Sequence, residues 1–221
     1  MPIFEKWDWI KRNWPYVVEE ATGLGLVFVG GTALNLVLFE EYRASEDIDL
    51  YDPHAKTIGT GHEQECVRKL AKRLEEKGFV ISSKNERAFW VGPNIKVEVF
   101  NDGTRFNRIQ KRTAGQVDVL TFDTDTYAGM KMAALLCRSF YDPRDLVDLF
   151  ILKKRAGARL SFPEMECETI ENNFSRRLKD IGNTGKDDLL PFQSGEQIDA
   201  LPYEEFKEFK RWLHEWLSGF R

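Results

Sequence analysis

A chain of 221 residues with 42% hydrophobic content is long enough to bury a sizeable core without disulfide or metal staples. A net charge of −4 excludes a protein that coats nucleic acid by bulk charge, and no apolar run reaches the roughly 20 residues needed to span a bilayer. Three cysteines, Cys66, Cys137 and Cys167, are an odd number at wide spacing, with no C-x-x-C pair and no signal peptide ahead of them, which predicts a soluble chain in the reducing cytoplasm.

The first twenty residues carry Trp7, Trp9, Ile10, Trp14, Val17 and Val18 and read as an aromatic-rich helix packed on the domain, with Pro15 as a point of kinking or restart. Leu24 to Val29 is apolar and β-rich, a strand. Gly30 and Gly31 then allow a turn closed to other residues, and Thr32 is placed to cap the helix that follows. Unpaired N–H groups and the helix dipole attract phosphate at such a terminus. Asp47 and Asp49 open the next strand. One residue apart, they project to the same side while Ile48 faces the other way, so their carboxylates can share a divalent cation. Taken singly, Gly-Gly is most often a simple turn and Asp-x-Asp a solvated strand end. In this order they form an anion cradle beside a metal site, the minimum set for handling a nucleoside triphosphate with magnesium.

Gly30, Gly31, Thr32, Asp47 and Asp49 resemble the signature of the DNA polymerase β-like nucleotidyltransferase superfamily, a Gly-Gly or Gly-Ser turn, a helix and then Asp-x-Asp. The resemblance implies an α+β fold whose core is a mixed sheet flanked by helices. It also implies an NTP substrate, Mg2+ or Mn2+ as cofactor, and a third carboxylate on a later strand that completes the metal site and takes a proton from the attacking hydroxyl.

Further along, Cys66, Leu70 and Leu74 mark an amphipathic helix from Gly61 to a glycine cap at Gly78. His62 and Cys66 lie four apart on it and could clip a metal, but no second pair completes a zinc set, and both are taken as ordinary helix residues. Strands are predicted at Phe79–Ser83, Arg87–Val91 and Ile95–Phe100, the last two joined by a tight turn at Gly92-Pro93-Asn94. Ile95, Val97 and Val99 share one face of the last strand and Lys96, Glu98 and Phe100 the other. Glu98, on a sheet that should neighbour the Asp47 strand, is the candidate third carboxylate, with Asp102 as fallback. The alternative is a surface Glu98 paired with Lys96 or Arg87.

A basic connector with Arg105, Arg108, Lys111 and Arg112 leads to a strand at Val117–Phe122. Asp123 to Arg138 is helical, with Tyr127, Met130, Ala134 and Cys137 on its apolar face and Lys131 at the border, where a lysine either snorkels to water or pairs with an anion. The next helix, RDLVDLFILKKR, carries Asp145 and Asp148, with Arg144 spaced to pair with Asp148. It ends in a second basic cluster, Lys153, Lys154, Arg155 and Arg159. Beyond it lie a helix from Pro163 to Ile181, a polar break, and a helix from Tyr203 to Leu217 whose stripe Phe206, Phe209, Trp212, Leu213 and Trp216 reads as core. Two domains are expected: residues 1–122, a nucleotidyltransferase core with its N-terminal helix, and residues 123–221, a helical subdomain closing the cleft.

GGTAL, R-x-S-x-D-I-D from Arg43 to Asp49, Lys131 in an Ala-Leu helix and RDLVDL from Arg144 together resemble the AbiEii-type toxin branch of these nucleotidyltransferases, over about residues 24 to 155. That resemblance implies Lys131 as the grip on the triphosphate and Asp145 as support for the site. It makes the expected function transfer of a nucleoside monophosphate from an NTP to RNA, a tRNA end in particular, by a toxin held in check by a cognate antitoxin. Phosphate contacts from Gly30, Gly31, Thr32 and Arg43, metal held by Asp47, Asp49 and Glu98, and in-line attack on the α-phosphorus complete the expectation. A small-molecule acceptor such as an antibiotic uses the same core, and a non-catalytic nucleotide-binding regulator is the alternative from another class. Replacing Lys131 is expected to affect triphosphate handling more than stability.

Overall fold

The structure, a computed structural model, describes residues 2–55, 61–101, 108–161, 168–193 and 201–219; Asp102, Arg105 and Cys167 lie outside them. The chain divides into two compact units, Met1–Asp123 and Thr124–Arg221.

In the first unit the elements run α1 (Ile3–Thr22), β1 (Val27–Val29), α2 (Gly30–Ala33), β2 (Asp47–Tyr51), α3 (Gly61–Glu76), β3 (Ile81–Lys84), β4 (Ala88–Val91) and β5 (Ile95–Phe100). The five strands form one mixed sheet in the order β1-β2-β5-β4-β3, in which the pair β2–β5 is parallel and the others antiparallel. A parallel pair needs a long crossover, and the segment through α3 and the β3–β4 hairpin supplies it.

Period-two alternation gives this sheet two different faces. Ile48 and Leu50 of β2 and Val97 and Val99 of β5 are wholly buried on one face. Phe28, paired with Leu50, stacks on Trp14 of α1 with ring centroids 5.8 Å apart, and α3 packs its buried Cys66, Val67, Leu70 and Leu74 toward the same sheet. The other face carries Asp47, Asp49, Lys96 and Glu98, all half-buried. Pro15 lies inside α1 without ending it. The β4–β5 turn has Gly92 at φ 55° and Asn94 at φ 67°, and a Cβ on Gly92 would lie 2.6 Å from the Trp9 ring, so glycine is required there both by backbone and by the helix seated on the turn.

The basic connector is a strand in its described part. Residues Ile109–Ala114 form β6 and pair antiparallel with β7 (Val117–Phe122) in a second, two-stranded sheet, bound to the first through the Thr121 hydroxyl, which donates to the Phe28 carbonyl at 2.8 Å. IQKRTA is exposed along nearly its whole length, which leaves it without the alternation that betrays a half-buried strand.

The second unit is helical: α4 (Thr124–Cys137), α5 (Pro143–Ala156), α6 (Glu168–Asn183) and α7 (Tyr203–Ser218). Its centre is α5, buried without interruption from Asp145 to Leu152. The helix starts sharply because Asp142 accepts the Arg144 N–H and Pro143 follows as its first residue, and it stops at Gly157, whose φ of 63° closes a left-handed cap. Phe150 packs edge-on against Phe206, 5.6 Å between centroids. The aromatic stripe of α7 is only partly core: Phe206, Phe209 and Leu213 are buried, whereas Trp212 is 40% exposed and stacks on Trp216.

On α4 the buried face is Tyr127, Ala128, Lys131, Met132, Leu135 and Leu136, not the expected line through Met130, Ala134 and Cys137. The helix is apolar nearly all round, so spacing alone could not fix its phase. The shift puts Lys131 within the buried face instead of at its edge. Among the described residues no helix is long and apolar enough to cross a membrane.

Candidate active site

The two motifs of the first unit interlock residue by residue. Gly30 takes φ 77°, and a Cβ there would lie 2.1 Å from an Asp49 carboxylate oxygen. A Cβ on Gly31 would lie 2.1 Å from an Arg43 guanidinium nitrogen. Thr32 donates to the Asp47 carbonyl at 2.5 Å and shares a hydrogen bond with the Ser45 hydroxyl at 2.7 Å. The glycines are therefore the surface on which Asp49 and Arg43 rest, while Thr32 holds the backbone entering β2.

This corrects the expected cap at Thr32. The helix N-cap is Val29, which has no side chain to give, and Thr32 lies inside α2, wholly buried and committed to a partner fifteen residues on. The α-helical turn is also only Gly30–Ala33, passing at once into a π-helical turn, Leu34–Leu38. Such turns recur at functional sites because the wider coil re-aims side chains. Within it Asn35 acts as a clamp: its amide donates to the Gly31 carbonyl at 2.8 Å and its carbonyl oxygen accepts from the backbone of Tyr42 and Arg43. The loop into β2 is held from outside as well, by Trp7 on Glu41 and Lys6 on Glu46.

Strand register brings the carboxylates together. Asp49 pairs with Glu98 and Asp47 with Lys96 across the parallel β2–β5 ladder, so all four side chains leave the same face. Like charges directly opposite each other repel. Lys96 answers that repulsion, its ammonium 2.5 Å from Glu98 Oε2. Burial pulls the lysine toward its neutral form, but the Glu98 hydrogen bond and the charges of Glu98, Asp47 and Asp49 outweigh it and hold its pKa above the ordinary lysine value. Both readings of Glu98 thus meet at one place: it pairs with Lys96 and it stands beside Asp49. Farther along the face the pairing Tyr51–Phe100 turns it aromatic.

An all-oxygen set of carboxylates on rigid, adjacent strands fits a hard divalent cation such as Mg2+ or Mn2+. The register that sets Asp49 beside Glu98 on the face carrying Asp47, with Lys96 paired to Glu98, is the observation in this structure that supports the fit. Asn35 and Ser45 were not singled out by sequence, where the available signal was their place inside the motifs GGTALN and R-x-S-x-D, whereas Lys96 was named there as a partner for Glu98.

In the second unit Lys131 neither snorkels nor reaches water freely. It is 9% exposed and bridges Asp145 Oδ1 at 3.0 Å and Asp148 Oδ2 at 2.7 Å. Arg138 takes the other oxygen of Asp145 at 2.8 Å. Arg144, expected on Asp148, lies instead with its guanidinium against both oxygens of Asp142.

Gly30→Ala tests the interlock. The left-handed backbone alone should cost about 1–2 kcal/mol, a fall in melting temperature of roughly 2–8 °C for a chain of this size. Because the new methyl must also push Asp49 off its position, nucleotide transfer should fall much further than stability; a variant as active as wild type would show that the Gly30–Asp49 contact is not part of the site.

The fold is that of nucleotidyltransferases. A crystal structure of an antigenic nucleotidyltransferase-like protein from Paracoccidioides brasiliensis superposes with a TM-score of 0.53 at 15% identity, over 86% of this chain and 96% of that one. The solution structure of the antibiotic-resistance factor ANT(2'')-Ia gives 0.44 at 13% identity, over 75% and 90%. Residues 17–213 match the family described as nucleotidyl transferase AbiEii toxin, type IV toxin–antitoxin system, and the chain belongs to that family. No curated protein matches the sequence. The protein is accordingly a nucleotidyltransferase of a toxin–antitoxin family.

Proposed function

We propose that the face bearing Asp47, Asp49 and Glu98 transfers a nucleoside monophosphate from an NTP to RNA, as the toxin whose activity a cognate antitoxin restrains. The observation that carries this reading is the register that sets Asp49 beside Glu98, with Gly30 against the same carboxylate. Asp47, Asp49 and Glu98 would hold Mg2+ or Mn2+, which when bound neutralises charge on the triphosphate and lowers the pKa of an acceptor hydroxyl. Glu98 is the base placed to receive that hydroxyl's proton, once its ion pair with Lys96 opens. The backbone N–H groups of the turn and the Arg43 guanidinium resting on Gly31 supply positive potential for phosphate oxygens. Lys131, held by Asp145 and Asp148, is the lysine that the family likeness gives to the triphosphate.

Two exposed basic stretches support an RNA acceptor: Arg108, Lys111 and Arg112 on the β6 side of the first unit, and Lys153, Lys154, Arg155 and Arg159 at the end of α5 in the second. Several of them lie in surface ion pairs, Lys111 with Asp118 and Lys154 with Glu205, which contribute little and open readily to a phosphate backbone. Incubation with labelled NTPs, magnesium and total cellular RNA should place the label on RNA, on the tRNA fraction in particular, and added salt should suppress it steeply. Label recovered only on a small-molecule acceptor would replace the RNA reading.

A further inference from the structure

Three side chains of different donor chemistry converge at the far end of β2, on the sheet face opposite the acidic one. Asp52 continues the ladder, its N–H donating to the Phe100 carbonyl, and by alternation it leaves with Ile48 and Leu50 toward α3. His62 and Cys66, one turn apart on α3, meet it there. Asp52 Oδ2 lies 2.5 Å from His62 Nδ1, Cys66 Sγ lies 3.7 Å from the same nitrogen, and the three donor atoms are all within 4.8 Å of one another.

Both contacts use one ring nitrogen. A proton-relay triad would use opposite nitrogens of the imidazole for acid and thiol, so this is not the geometry of an activated nucleophile. It is three donors arranged around a point. Asp52 is wholly buried, and among the described residues its other oxygen accepts only the His54 N–H and no lysine or arginine reaches it. Among those residues its one ionisable hydrogen-bond partner is an imidazole, which leaves the buried carboxylate short of positive charge.

We propose that Asp52, His62 and Cys66 bind a borderline-soft divalent cation, zinc by preference, at a site separate from the acidic face. One oxygen, one nitrogen and one sulfur select zinc over magnesium, whereas Asp47, Asp49 and Glu98 select the reverse. Three protein ligands leave a fourth tetrahedral position for water or for a further donor. The His54 ring, 6.0 Å from that of His62, is close at hand. Binding releases the Cys66 proton and ties α3 to the end of the strand that carries Asp47 and Asp49.

Full-length protein titrated with cobalt(II) tests this, since cobalt occupies zinc sites and a thiolate ligand gives it an intense near-ultraviolet charge-transfer band. The band should appear, saturate at one ion per chain, and vanish on adding stoichiometric zinc. Cys66→Ser should abolish it. His62→Ala, which strands the buried Asp52 carboxylate and so should melt below wild type, should also weaken cobalt binding by more than roughly tenfold. Zinc should raise the melting temperature of wild type and not of His62→Ala. No band in wild type, or a band retained by Cys66→Ser, would each overturn the proposal.

Discussion

Asp49→Asn should abolish nucleotide transfer and leave the protein at least as stable as wild type. The substitution keeps the shape that fits against Gly30 and removes only charge. Asp49 stands directly across the ladder from Glu98, and like charges so placed destabilise a sheet, so neutralising one should hold or slightly raise the melting temperature. Activity should move the other way. Charge neutralisation by a bound divalent ion supplies several kcal/mol at the transition state, and at about 1.4 kcal/mol per decade the loss of a ligand should lower the rate by roughly 10²–10⁴-fold. A gain in stability with loss of function marks a functional strain site. In a bacterial host, induced wild type should arrest growth, while Asp49→Asn at the same soluble level should not. Transfer within tenfold of wild type would remove the proposed site, and equal growth with both proteins would leave the enzyme standing but sink the toxin reading.

What the sequence disclosed depended on how local the cause was. Gly30-Gly31, Asp47-x-Asp49 and the alternation around Glu98 were readable because period two and glycine's backbone freedom act within a few residues. Asn35 and Ser45 were not, since each takes its meaning from a distant partner, the Arg43 backbone and Thr32; Lys96 was read as a partner for Glu98, but its place beside Asp47 and Asp49 comes from the facing strand. Thr32 was misread for the same reason, its hydroxyl choosing the Asp47 carbonyl over a local cap. The strand β6 escaped because a solvated hairpin needs no apolar pattern. The spacing of His62 and Cys66 was visible, but Asp52, which makes the pair a cluster, is brought to them only by the fold.

Lys131→Ala should destabilise the protein by about 3–5 kcal/mol, since removing one partner of a buried ion pair leaves charge behind in the core. For a chain of this size that is a fall in melting temperature of roughly 6–20 °C. This reverses the expectation from sequence, in which the lysine sat at a helix border and its loss touched nucleotide more than fold. The reason is the phase of α4: Lys131 belongs to the buried face, and Asp145 and Asp148, 1% and 0% exposed, close on it from α5. Arg138 would remain on Asp145 and offset part of the penalty there. The alanine variant is therefore a poor probe of catalysis. Lys131→Met combined with Asp148→Asn removes both charges at near-constant volume and should recover more than half of the lost melting temperature, since a neutral pair of similar shape is often no less stable than a buried ion pair. Nucleotide titration against that double variant separates the two roles. Weak triphosphate binding and absent transfer in a protein that melts near wild type would assign Lys131 to the nucleotide, and wild-type affinity would confine it to holding α4 on α5.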